Sequence, residues 1–222
     1  MRRPRISRSL TVLSLTGALL IPLVGAASVS DTLSSGQRPV SASADVDDFS
    51  YSSWESQFDV GVDDEGRATL HVEERIVAEF PDADQNRGIV RGLPTSYRNA
   101  SIETEVQSVT DADGNPVPYE TEEDGDVLYV LTGTDDYVRG STSYVIEYEM
   151  RDVVLAAETT DADEFYWDLL PLDSTQDIGF FRAYMTFDET LTQALTGSSA
   201  CYFGTSGATE DCTVDGPLMD GE

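Results

Sequence analysis

From Trp54 onward, apolar residues recur at every second position in short runs broken by turn residues, and this period of two constrains the fold more than any other feature. Phe58, Val60 and Val62 alternate with polar neighbours, Asp63-Asp64-Glu65-Gly66 turns the chain, and Leu70, Val72, Ile76, Ala78 and Phe80 share one face of a long second run. These two runs are expected to pair as a hairpin. Ile102 to Thr110 reads as a third strand, closed by the turn residues Asp111 to Pro116, with Val117 to Glu120 pairing back. Val127 to Leu131 is apolar throughout and reads as a central strand, and Tyr144, Ile146, Tyr148 and Met150 share a face of the next. Phe165 to Asp168, Gly179 to Phe187, Ala200 to Phe203 and Thr209 to Val214 complete the series, with one short helix at Glu189 to Leu195. The expected fold is all-β, a two-sheet antiparallel β-sandwich over residues 54–214 followed by a short acidic tail, 215–222.

The N-terminus follows a different rule. Arg2, Arg3, Arg5 and Arg8 precede an apolar stretch from Leu10 to Val24, and small residues around Ala26 then offer a signal-peptidase site. The apolar stretch is shorter than the ~20 residues a membrane helix needs. Residues 1–27 therefore read as a signal peptide, and 28–53, rich in Ser and Asp without periodicity, as a flexible linker. Export agrees with the cysteines: Cys201 and Cys212 are the only two and lie close together, which in an oxidising compartment reads as a disulfide. The rival reading is half of a metal site, but no second cysteine pair exists to complete it.

Charge excludes one class of partner. With 42 acidic residues against 13 basic ones, all arginine, the formal net charge is −29. Nucleic-acid binding depends on cations that neutralise phosphates, so nucleic acid is not an expected partner. Either a solvated surface suited to salt or cation binding accounts for such acidity.

Four stretches in order carry a resemblance: Leu70-x-Val72-x-Glu74-x-Ile76 leading to Phe80, Gly88-Ile89-Val90-Arg91-Gly92-Leu93-Pro94, Tyr144-Val145-Ile146-Glu147-Tyr148, and Asp163-Glu164-Phe165-Tyr166-Trp167-Asp168. Together with Cys201-x-x-Gly204-x-x-Gly207 closed by Cys212, they resemble the bacterial predicted membrane proteins catalogued as domain of unknown function 2207, from about Phe58 to Val214. The resemblance implies an extracytoplasmic β domain on the outer face of the cell membrane, followed by a membrane helix. Membrane association would then run through a segment outside this chain, which stops at Glu222. The family has no established activity, so the resemblance implies no catalytic residues.

Candidate chemistry is sparse. Triad catalysis needs a base, and the one histidine, His71, is out of phase with Leu70 and Val72 and so falls on the polar face. Trp167 beside Asp168, with Asp163 and Glu164 upstream, is the cluster most like a glycosidase cleft; its plainer reading is an aromatic anchor with acids at a strand edge. Asp111-x-Asp113-x-Asn115, with Glu122 further on, mimics part of a calcium loop, but Pro116 stands where that loop needs glycine. A hairpin turn or a weak calcium site remain the two readings. Asn99-Ala100-Ser101 matches a glycosylation sequon. Glu74 is in phase with Leu70, Val72 and Ile76, which turns a carboxylate inward, where it needs a cation. Arg91 is the expected partner in a structural ion pair.

The expected function is a non-catalytic extracytoplasmic domain of a cell-envelope or membrane protein, binding another envelope component or acting as a spacer, with no cofactor. The alternatives are a carboxylate-dependent hydrolase of envelope glycans and a calcium-stabilised adhesion module.

Overall fold

A computed structural model describes residues 45–98, 100–156, 162–171, 174–204 and 207–216. The proposed signal peptide, most of the linker, Asn99 of the sequon and the end of the tail lie outside the described residues.

The first hairpin forms where alternation and turn chemistry agree. β1 (Ser50–Val62) and β2 (Ala68–Phe80) flank a turn in which Asp63 accepts at one carboxylate oxygen from the backbone N–H of Glu65 and of Arg67, at 3.0 and 2.9 Å. β1 begins earlier than Trp54. Tyr51 is already buried, and a register shift between Tyr51 and Ser53 changes the phase there, which is why the alternation could be read only from Trp54.

The chain then forms β3 (Val90–Pro94), the short pair β4 (Ser96–Tyr97) and β5 (Ala100–Ser101), and β6 (Glu105–Thr110). β7 (Tyr119–Asp124), β8 (Val127–Thr132) and β9 (Gly140–Arg151) follow, then β10 (Val154–Ala156) paired with β11 (Asp163–Phe165). The last elements are β12 (Phe181–Phe187), helix α1 (Glu189–Ala194), and the hairpin of β13 (Tyr202–Phe203) and β14 (Glu210–Asp211).

Two larger sheets result, one with the order β12-β1-β2-β9-β6 and one with β3-β8-β7. Between them lies the core: Trp54, Phe58, Val72, Ile76, Ile146 and Tyr148 from the first sheet, with Leu93 and Val130 from the second. The fold is thus mostly strand, in several sheets, as the alternation indicates.

Two pairings differ from expectation. β12 lies parallel to β1, with Trp54 abreast of Phe181 and Val60 of Phe187, so the five-stranded sheet is mixed. A parallel neighbour needs a long connection, and β12 is remote in sequence from β1. Val117 bonds back to Val109, but the chain then leaves for the other sheet, where Tyr119 pairs with Thr132. Pro116 and Pro118 have no N–H to extend a ladder on β6, and that releases the strand.

The second sheet is fastened at its start by glycine. Gly88 has φ +153° and packs so closely that a Cβ there would stand 2.0 Å from the Thr132 carbonyl oxygen. Beside it, the Ile89 N–H donates to the Thr132 hydroxyl at 2.9 Å and the Thr132 N–H to the Ile89 carbonyl at 3.0 Å.

Candidate functional site: a buried ion pair between the sheets

Glu74 sits mid-strand in β2, and the period of two turns it inward between Val72 and Ile76. Arg91 enters from β3 on the facing sheet. The two meet in a bidentate pair: Arg91 Nε donates to Glu74 Oε2 at 2.8 Å, and Nη2 donates to Oε1 at 2.9 Å. Tyr148 on β9 donates its hydroxyl to Glu74 Oε1 at 3.0 Å, and Arg91 Nη1 donates to the Gly92 carbonyl at 2.6 Å. The guanidinium lies over the Trp54 ring, 5.3 Å from its centroid. Glu74 is 0% exposed and Arg91 6%, so water reaches neither appreciably.

Electrostatics follow from this sealing. Burial pulls the Arg91 pKa down, but the charge and hydrogen bonds of Glu74 outweigh it and the net direction is up. The Tyr148 hydroxyl is held well above its ordinary range, first by burial and then by the charge of Glu74. Tyr51 is pushed up to about 12, again by burial first. Arg91, Tyr148 and Tyr51 are thus each held in the protonated form at neutral pH. Nearby, the buried Ser56 hydroxyl, abreast of Glu74, and Trp54 Nε1 bond no partner among the described residues.

The other candidates fall elsewhere. Asp111 and Asn115 form a turn: Asp111 Oδ1 accepts from the backbone N–H of Asp113 and of Asn115, both at 2.9 Å, and Oδ2 accepts from Asn115 Nδ2 at 2.9 Å. These bonds lower the Asp111 pKa, the Asn115 side chain contributing most. Asn115 thus presents its NH₂, not a ligating oxygen, to Asp111. Among the described residues no group of three His, Cys, Asp or Glu side chains could hold a metal ion.

Trp167 packs partly buried against the core and stacks on Phe165 with centroids 6.1 Å apart, while Asp163, Glu164 and Asp168 are exposed. Asp168 accepts from the Tyr166 hydroxyl at 3.3 Å. His71 lies on the outer face of β2, its Nδ1 3.8 Å from a Glu149 oxygen, in an open cleft of about 400 Å³ that also includes Asp59 and Asp188. A second open cleft, of about 530 Å³, is lined by Asp47, Asp48, Glu79 and Asp177.

Cys201 and Cys212 form a disulfide, and the Cys212 N–H donates to the Cys201 carbonyl at 2.9 Å. Two residues of the buried cluster escaped sequence reasoning. Tyr148 read only as one of the residues sharing a strand face, and Trp54 only as the start of the alternation. Only their phase with Glu74 across neighbouring strands could have signalled a shared role.

Residues 55–212 match the model of a family described as the N-terminal domain of predicted membrane proteins (DUF2207). No curated protein matches the chain. Among solved structures, leukotriene A4 hydrolase from Saccharomyces cerevisiae is 14% identical with a TM-score of 0.29, over 50% of this chain and 16% of its own. An M1 zinc metallopeptidase mutant from Deinococcus radiodurans, bound to a Tyr-Ser-Ala substrate, is 9% identical with a TM-score of 0.30, over 51% and 23%. A two-domain M1 zinc metallopeptidase mutant bound to L-arginine is 9% identical with a TM-score of 0.36, over 64% and 33%. The chain therefore spans a third or less of these proteins, and likenesses this weak carry no statement about its activity.

Proposed function

The chain belongs to the family of N-terminal domains of predicted membrane proteins, and from that premise we propose that it is a non-catalytic, extracytoplasmic binding or spacer domain of a cell-envelope protein. The observation that carries this reading is the interior position of Glu74 and Arg91. The best-organised acid–base pair among the described residues is sealed between two sheets, where it can hold the fold but touch no substrate. Burial, hydrogen bonding and the stacked Trp54 all serve packing. The disulfide between Cys201 and Cys212 supports placement in an oxidising compartment. Among the described residues no helix is long and apolar enough to cross a membrane, so any anchoring by a helix would come from other residues.

Two measurements test the reading. The full chain is incubated with purified envelope glycan while release of sugar reducing ends is followed. No release above glycan alone is expected; release that disappears in Glu164→Gln or Asp168→Asn would overturn the non-catalytic reading. Thiols are then trapped in intact cells before extraction. Cys201 and Cys212 should resist alkylation until a reductant is added, and a free pair in cells would contradict the extracytoplasmic placement.

A further inference from the structure

The two edges of the five-stranded sheet are built differently. β6 is broken by a register shift between Val106 and Ser108, a common way to blunt an edge against further pairing. β12 runs in unbroken register along β1 and contains no proline, and its one charged side chain, Arg182, lies against the neighbouring Phe180 and Tyr184 rings.

The phase of the ladder shows which backbone groups are free. The Trp54 N–H donates to the Phe180 carbonyl at 2.9 Å, and the Asp188 N–H donates to the Val60 carbonyl at 3.0 Å. In a parallel ladder alternate residues face the partner strand, so Arg182, Tyr184 and Thr186 bond to β1. Phe181, Ala183 and Met185 therefore direct their N–H and C=O groups outward, and these bond nothing among the described residues. Only the next outward carbonyl, that of Phe187, is taken, by the Thr192 hydroxyl at 3.1 Å.

Side chains along this edge are set for contact. Phe180, Tyr184 and Met185 are 42%, 49% and 40% exposed. Arg182 holds the first two: its guanidinium lies 5.1 Å from the Phe180 ring and 5.8 Å from the Tyr184 ring, and it donates to the Tyr184 hydroxyl at 2.9 Å. Abreast of β12 on the same sheet face stand Glu55 and Asp59 of β1. With a net charge of −29 the chain repels its own copies and attracts cationic chains.

We infer that the free edge of β12 receives an extended, cationic segment of a partner protein, with apolar residues at alternate positions, which adds a sixth strand to the sheet. Backbone bonds to Phe181, Ala183 and Met185 supply register, and the acidic surround selects for lysine and arginine. This rests on the binding half of the proposed function and names the class of partner.

The test uses the full chain with a labelled ten-residue peptide of alternating Val and Lys, and its Val–Glu counterpart. Binding of the Val–Lys peptide should slow hydrogen exchange at the Ala183 and Met185 amides at least tenfold. Ala183→Pro removes an outward N–H and leaves the charge unchanged, and proline is tolerated on an edge strand. It should weaken binding at least tenfold while the thermal melt stays in place. Unchanged binding and exchange would mean charge attraction alone and overturn the inference. Equal binding of the Val–Glu peptide, or no binding of either peptide, would also overturn it. So would self-association of the chain that Ala183→Pro abolishes, because the occupant would then be a second copy. Sugar release in the glycan assay would sink the non-catalytic reading and leave this result standing.

Discussion

Tyr51 and Tyr148 show how one residue reports its surroundings. Both keep their hydroxyl protons to higher pH in the folded protein, chiefly because burial disfavours the phenolate. An unfolded tyrosine ionises near pH ~10. Above that the unfolded chain releases protons that the folded chain retains, so the stability these residues contribute is present below pH ~10 and is lost as pH rises toward the folded value, about 12 for Tyr51. Urea melts should therefore show a midpoint that falls above pH ~10, with a shallower fall in Tyr51→Phe. A variant that keeps the parent slope would contradict the buried setting of Tyr51. Glu74 was legible in the sequence because a carboxylate in phase with three apolar residues violates the alternation. Tyr148 was not, since an inward tyrosine breaks no rule and its bond to Glu74 spans a strand pairing that sequence does not specify.

At the scale of elements, two junctions make separable predictions. Gly88 lets the β2–β3 connection press against Thr132, and Gly88→Ala should cost roughly 3 kcal/mol through backbone strain and the clash with the Thr132 carbonyl. A melting temperature within about a degree of the parent would rule that out. The β13–β14 hairpin behaves differently. Its strand residues are exposed, and its disulfide closes a loop of sequence separation 11, worth about 3 kcal/mol of chain entropy to the hairpin itself. Cys201→Ser/Cys212→Ser should speed cleavage by chymotrypsin at Tyr202 and Phe203 while leaving the main thermal transition where it was. A large shift of that transition would show the hairpin to be part of the core. Local rules made the β1–β2 hairpin readable from its turn, and at the other end gave the Cys201–Cys212 disulfide and the two strands, but not the pairing of β13 with β14. They were silent too on the parallel union of β12 with β1, which depends on a pairing of residues such as Trp54 and Phe181 that lie far apart in sequence. The start of β1 was obscured for a local reason, the irregularity at Tyr51 to Ser53.

For the whole molecule, surface and interior carry charge to different ends. The surface is acidic and screened by salt, so sodium chloride should raise the melting temperature, and calcium at matched ionic strength should raise it no further. A calcium-specific rise would require a site that the Asp111 turn, with its carboxylate already bonded to Asn115 and Asp113, does not present. Among the described residues the interior holds its charge as one bolt, Glu74 to Arg91, joining the five-stranded sheet to the three-stranded one. The central claim is that this pair fastens the fold and does no chemistry. A double-mutant cycle tests it most directly, with Glu74→Leu, Arg91→Met and the double variant unfolded in urea. Each single variant strands a buried charge and should lose about 3–5 kcal/mol, and the double variant, an apolar replacement, should recover most of it. Single variants that keep full stability would contradict the claim and reopen Glu74 and Arg91 as a working site.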